Sequence, residues 1–305
     1  VDVSDEPVTE NEEGTFGFGS AAISAETYTA VTNLVSNVGV VATDTTGVGT
    51  ARHSIAACEY GGDKGIFGFG KTGDGNVSMT NLVSNAGVVA TDVTGVGTAR
   101  HGPAACGYDG NKGIFAYGDE TGSRTAVSNL VSNAGVVATD VTGVGTARRS
   151  IGACEYGGDK GIFGFGQTAT PTMVSITNLV SNAGVIATDT TGVVTGRIGP
   201  AACGYGGDKG IFAYGYAIDH YSSVSNLVSN VGVVATDTTG VGTAGYQVAA
   251  TQYGLDKGIF AYGERGGGQE NITAVSNLVS NSGVVASDVT GVGTARQLLA
   301  ACSFN

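Results

Sequence analysis

The chain has 305 residues, of which 53 are Gly, four are Pro and none is Trp, and its formal charge is −12. So much Gly excludes long helices, because Gly costs about 1 kcal/mol per helical site, and the absence of a three-residue Gly period excludes collagen. The acidic balance opposes binding to a nucleic-acid phosphate backbone, and no apolar run approaches the ~20 residues that cross a bilayer as a helix.

Acidic residues crowd the start of the chain, at Asp2, Asp5, Glu6, Glu10, Glu12 and Glu13. Residues 1–13 therefore read as a flexible, solvated tail. From Gly14 onward the sequence is repetitive. The Asp of an A-[TS]-D string recurs at Asp44, Asp92, Asp140, Asp189, Asp237 and Asp288. An Arg closes most units, at Arg52, Arg100, Arg148, Arg197 and Arg296, with Gly245 in its place in the fifth. Six copies of a unit of about 48 residues fill 14–305.

Within a unit, taking 104–148, the elements come in a fixed order. AACGY (104–108) is a small apolar strand, followed by a turn with Asp-Gly and Asn-Lys. GIFAYG (113–118) alternates large and small side chains as a second strand, and a loop of variable length follows. AVSNLVSN (126–133) is a third strand, and Asn133-Ala134-Gly135 reverses the chain because Asn and Gly tolerate positive φ. GVVATDV (135–141) is a fourth, and TGVGTAR leads onward. Short strands at this spacing predict an antiparallel all-β protein. Four strands per unit and six units predict a six-bladed β-propeller. The ends fit together: the first unit starts at its second strand, and the last stops after AACSF (300–304). The C-terminal strand is expected to pair with the N-terminal strand and close the circle, removing open sheet edges.

The order of a small apolar strand, a Gly-aromatic strand and a closing Arg resembles the kelch repeat, without the Trp that many kelch units carry. GIFGFG (65–70), GVVATD (87–92), GTAR (97–100) and AAC (104–106) more closely resemble Gly-rich repeats of structural and tail-fibre-like proteins of marine and cyanobacterial phages. That resemblance implies a virion or cell-surface role and carries no catalytic mechanism.

Little in the chain reads as chemistry. GIFGFGKT (65–72) fits the phosphate-loop pattern, but it is a repeated strand and no helix follows, so it is read as coincidence. Cys58, Cys106, Cys154, Cys203 and Cys302 occupy one repeat position and are expected as buried filler rather than as disulfides or metal ligands. The repeated Asp and Arg are expected to serve the framework, in turns and between units, since a catalytic centre gathers different groups once. His53 and His101 share a position with Arg149 and Ile198, a tolerance that suggests the surface. No cofactor, metal or catalytic residue is expected.

The informative variation lies in the loops between second and third strands, which should gather on one face. The binding candidates there are Tyr28, Asp74, Asn76, Asp119, Arg124, Asp219, His220, Tyr221, Arg265 and Asn271. Their mixture of Tyr with Asp and Asn suits a sugar ring. The reading is a non-catalytic structural and adhesive module that contacts a host glycan or a neighbouring virion or surface protein. The alternatives are a self-assembling structural subunit, including a homo-oligomer, and a polysaccharide hydrolase or lyase.

Overall fold

A computed structural model describes residues 12–22, 27–168, 172–192, 194–266 and 271–304. They form an all-β protein of small antiparallel sheets. Six of these have three strands and follow the repeats. The third is typical: Ala104–Tyr108 pairs with Lys112–Glu120, which pairs with Ser123–Val131. Its register sets Ala104 against Ala116, Ala105 against Phe115 and Cys106 against Ile114. Small residues thus face large ones, as close packing between neighbouring sheets requires.

The first sheet is assembled from both chain ends. Glu13–Gly17 pairs with Ala300–Phe304, from Glu13 opposite Phe304 to Gly17 opposite Ala300. Glu12 and Glu13, read above as tail, therefore belong to the sheet region, and the Glu12 carbonyl accepts a bond from Gly254 N at 2.8 Å. The remainder of the expected tail lies outside the described residues.

The fourth segment of each unit is not a regular strand. GVVATDV touches the third strand through two isolated bridges, Val131–Val137 and Ser128–Val141. These are three residues apart on one side and four on the other, so one extra residue bulges out and breaks the ladder. The outward valines of this segment are left bare, Val136 at 64% and Val185 at 64% exposure.

Each first strand lies against the first strands of the neighbouring units, and that of the last complete unit lies against Ala300–Phe304, which lies against Ala56–Tyr60. Packing between units explains the strictest sequence features. Every first-strand thiol fits over a Gly of the next second strand. A Cβ on Gly113 would fall 2.5 Å from Cys58 Sγ, closer than any real contact. All five thiols are free and buried. Burial pushes the Cys203 thiol up to about 12, which makes it inert rather than nucleophilic.

The closing Arg clamps two sheets. Arg100 is fully buried. Its guanidinium lies 4.0 Å from the Phe69 ring of the sheet before, while Nε donates to Tyr117 O at 2.8 Å and Nη2 to Asn129 Oδ1 at 2.7 Å. Phe69 and Tyr117 hold φ of 61° and 64°, a strained backbone for aromatic residues. The Arg bond to the carbonyl of the strained residue helps to fix it. Arg52 shows the electrostatic consequence: burial lowers its pKa to about 10, although Asp92 works in the opposite direction.

The repeated Asp ties each unit to the connector before it. Asp92 accepts from Thr50 N at 2.9 Å, Thr50 Oγ1 at 2.6 Å and Asn81 Nδ2 at 2.8 Å. The same staple joins Asp44 to Thr294 across 250 positions of sequence. Burial would raise the Asp44 pKa, but bonds from Thr294 and Asn33 outweigh it and hold the carboxyl below its ordinary value.

The unit that lacks its Arg is repaired from elsewhere. Arg265, on the insert of the next sheet, is 1% exposed. Its guanidinium lies 4.3 Å from the Tyr214 ring, Nη1 donates to Thr243 O at 3.0 Å and Nε to Tyr262 O at 3.4 Å. Glu264–Arg265 pairs with Gly245–Tyr246, placing Arg265 directly opposite Gly245. Arg265 was expected as a ligand contact, and the structure corrects this: it fills the buried slot that Gly245 leaves vacant.

Candidate functional site

The residue after each closing position bridges the first residue of an insert. The pairs are His53–Lys71, His101–Asp119, Arg149–Gln167, Ile198–Tyr216, Tyr246–Glu264 and Gln297–Ser20. The connectors and the variable loops therefore meet on one face. Unlike the framework around them, these pairs differ in every unit.

Just beyond each pair is a residue with a left-handed backbone: Ser54, Gly102, Ser150, Gly199, Gln247 and Leu298, with φ between 51° and 62°. Backbone bonds link them in succession. Ser54 N donates to Leu298 O at 2.8 Å, Gly102 N to Ser54 O at 2.8 Å, Ser150 N to Gly102 O at 3.0 Å and Gly199 N to Ser150 O at 2.7 Å. Among the described residues the run stops at Gly199. There Tyr246 leans in, so that a Cβ on Gly199 would lie 2.7 Å from Tyr246 Cε2. A cavity of about 100 Å³ sits at this convergence, lined by all six connectors and Tyr246.

Two contrasting arcs of side chains adjoin the connectors that line it. One is polar. The Tyr28 ring lies 4.6 Å from that of His53. His101 Nδ1 meets Asn76 Oδ1 at 3.0 Å, and Asn76 Nδ2 donates to Asp119 O at 2.9 Å. Asp119 is 1% exposed and is held by Arg124 and, at 3.4 Å, by Arg149 Nη1. The other arc is aromatic. Tyr216, Tyr221 and Tyr246 pack mutually with centroids 5.8–6.0 Å apart. The Tyr221 hydroxyl donates to Glu264. Burial first, then that bond and the Glu264 charge, push the Tyr221 pKa up.

The expected candidates divide accordingly. Tyr28, Asn76, Asp119, Arg124 and Tyr221 belong to the arcs, with Asp119 and Tyr221 buried. Asp74, Asp219 and His220 are exposed at hairpin ends, and His220 Nδ1 meets Asp219 Oδ1 at 2.8 Å. Asn271 is exposed and its carbonyl accepts from Arg265 N at 3.0 Å. His53 and His101, read as surface residues, are half-buried. Burial, with the charges of His101 and Lys71, lowers the His53 pKa to about 4. Sequence reasoning missed Lys71, Arg149, Gln167, Tyr216, Tyr246 and Glu264. The signal was present, since the position after the closing Arg varies while its neighbours repeat.

The opposite end of the first strands carries a smaller polar group. Glu59, Gly107, Glu155, Gly204, Gln252 and Ser303 line one cavity of about 60 Å³. Glu155 extends over Gly107, where a side chain would collide with it. Burial, then the charge and hydrogen bond of Glu59, push the Glu155 pKa well up, as for carboxyl groups that share a proton. Ser303 Oγ donates to Glu59 Oε2 at 2.6 Å. No group of three or more metal-ligating side chains occurs among the described residues. No protein-family model matches the chain, and no curated protein compared with it matches.

Proposed function

We propose that the chain is a six-bladed β-propeller that acts as a non-catalytic recognition module, engaging a glycan or glycan-bearing partner through its variable-loop face. Supporting the fold reading are the paired chain ends, the Asp44–Thr294 staple and the first-strand contacts that run from each unit to the next and return to the start. Each blade then has three regular strands and a bulged outer segment. The observation that carries the function is the contrast on the connector face. The framework largely repeats, yet the six insert–connector pairs are all different, and the connector residues next to them line one cavity together with Tyr246. A repeated scaffold that varies where its inserts and connectors meet is suited to presenting a unique surface, and Tyr faces suit sugar rings.

The phage-like repeats support placing it on a virion or cell surface. A saccharide array tests the binding. The expected outcome is selective retention of one glycan class, lost in Tyr216→Ala with the unfolding temperature unchanged. Retention of none, or retention indifferent to Tyr216, would remove the reading. The bare valines of the outer segments favour a second reading, a subunit that assembles edge to edge with copies of itself. Sedimentation as a concentration-independent monomer contradicts it.

A further inference from the structure

The cations of the chain are almost all committed to the framework. Lys64, Lys112, Lys160, Lys209 and Lys257 each pair with an Asp of their own turn. Arg52, Arg100, Arg148, Arg197, Arg265 and Arg296 are the buried clamps. Of the 14 Lys and Arg, the three that remain are Lys71, Arg124 and Arg149. All three stand on the polar arc, beside two of the three histidines.

The structure shows how closely they converge. Arg149 Nη1 lies 3.3 Å from His101 Nε2 and 3.4 Å from Asp119 Oδ2. Arg124 Nη2 lies 3.3 Å from Gln167 Oε1, which Arg149 Nη2 approaches at 3.4 Å. His101 experiences the charges of Asp119, Arg149, Lys71 and Arg124 together. Among the described residues Asp119 is the carboxylate set against the cations at the centre of this arc. Glu120 and the exposed Asp74 lie further out, on the hairpins. Donor capacity also goes unused. Arg124 Nε is buried with no hydrogen-bond partner among the described residues, and Lys71 is exposed. The Arg149 bonds are long for charge-assisted pairs. In a protein of charge −12, these three cations gather on the connector face, whereas the other Lys and Arg are committed to turns and clamps.

The Arg149–Gln167 pair is followed in the next units by Ile198–Tyr216 and Tyr246–Glu264, so the cationic arc adjoins the aromatic one on this face. Resting on the proposed recognition role of this face, we infer that the ligand is an acidic saccharide, its carboxylate or sulfate group held by Lys71 and Arg149 and its ring laid against Tyr216 and Tyr246. The cations recognise the shared anionic chemistry, and the tyrosines distinguish a sugar from a bare ion. Arg124 and Asp119 hold Arg149 in position.

The test titrates the full chain with a tetra-uronate, a sulfated tetrasaccharide, their carboxyl-reduced and desulfated neutral counterparts, and inorganic sulfate. At least one acidic saccharide is expected to bind about tenfold or more tightly than its neutral counterpart and more tightly than sulfate, and to weaken as salt rises. Lys71→Gln and Arg149→Gln, both at solvent-reached positions, should each weaken it about tenfold without lowering the unfolding temperature. Equal binding of acidic and neutral forms, lost in Tyr216→Ala but not in Arg149→Gln, overturns this inference while leaving the recognition role standing. Sulfate binding as tightly as any saccharide also overturns it. No saccharide binding at all overturns both.

Discussion

Arg265 and Gly245 form a natural double-mutant cycle. Removing Arg265 with Ala deletes a guanidinium stacked 4.3 Å over Tyr214 and bonded to the Thr243 and Tyr262 carbonyls. Loss of the two charge-assisted hydrogen bonds and the ring contact together costs about 3–5 kcal/mol. With an unfolding entropy of about 2.1 cal/mol/K per residue, the unfolding temperature should fall by about 5–8 °C. Gly245→Arg alone restores the repeat consensus, yet it should also destabilise, because a Cβ there falls 2.7 Å from Arg265 Cδ and 3.0 Å from its Nε. Two guanidinium groups would compete for one slot. Gly245 has no left-handed φ, so Arg is conformationally acceptable. The double variant should therefore recover most of the stability, a coupling of about 2–3 kcal/mol between residues in contact. Urea unfolding of the four proteins measures it. Additive losses would refute the claim that the two positions serve one slot.

Other consequences follow from the same contacts. The six repeated Asp have folded pKa values held below the ordinary 3.8. The stability they contribute is present above that value and is lost as pH falls through the folded pKa. Asp44→Asn should therefore destabilise at neutral pH and converge with the parent only once pH falls below the lowered folded pKa, read by thermal melts across pH. Glu155 behaves oppositely, because its raised pKa means that the native state binds the extra proton. Stability should decline as pH rises above 4.5, and Glu155→Gln should remove that decline; a Glu155→Gln melt lower than the parent at pH 7 contradicts this. Gly113→Ala should cost about 1–3 kcal/mol by forcing Cys58 from its seat, with Cys58→Ala restoring part of it. The five thiols should resist an aromatic disulfide reagent until the chain unfolds; rapid labelling of the native protein contradicts their burial.

The strand order was legible because each element carries its own signal: small residues in AACGY, alternation in GIFAYG, and the Asn-x-Gly reversal before GVVATDV. The split unit at the termini also announced the pairing of Glu13–Gly17 with Ala300–Phe304. The bulge in the outer segment was not legible, since its alternating valines look like any half-buried strand, and only the one-residue mismatch against Ser128 and Val131 breaks the ladder. The Arg clamp was visible as a repeat, but its partners were not. A guanidinium bonded to the carbonyl of a residue with positive φ on the next sheet has no linear spacing to betray it. For the same reason Arg265 passed for a loop residue, although the missing Arg at Gly245 was in plain view. At the candidate site the loop residues drew attention by their diversity. Among the equally diverse connector residues, His53, His101 and Arg149 were read as a tolerant surface position and Tyr246 passed without notice, because they directly adjoin a strongly repeated string.

The most direct measurement is amide hydrogen exchange of the full chain with and without a saturating acidic tetrasaccharide. Slower exchange at 53–55, 101–103, 149–151 and 215–222, with no change at the Ser-Asn-x-Gly turns such as 132–136, is the expected pattern. Protection centred on those turns or on the outer valine segments, or no protection anywhere, would show that the non-repeating face is not where this protein meets its ligand.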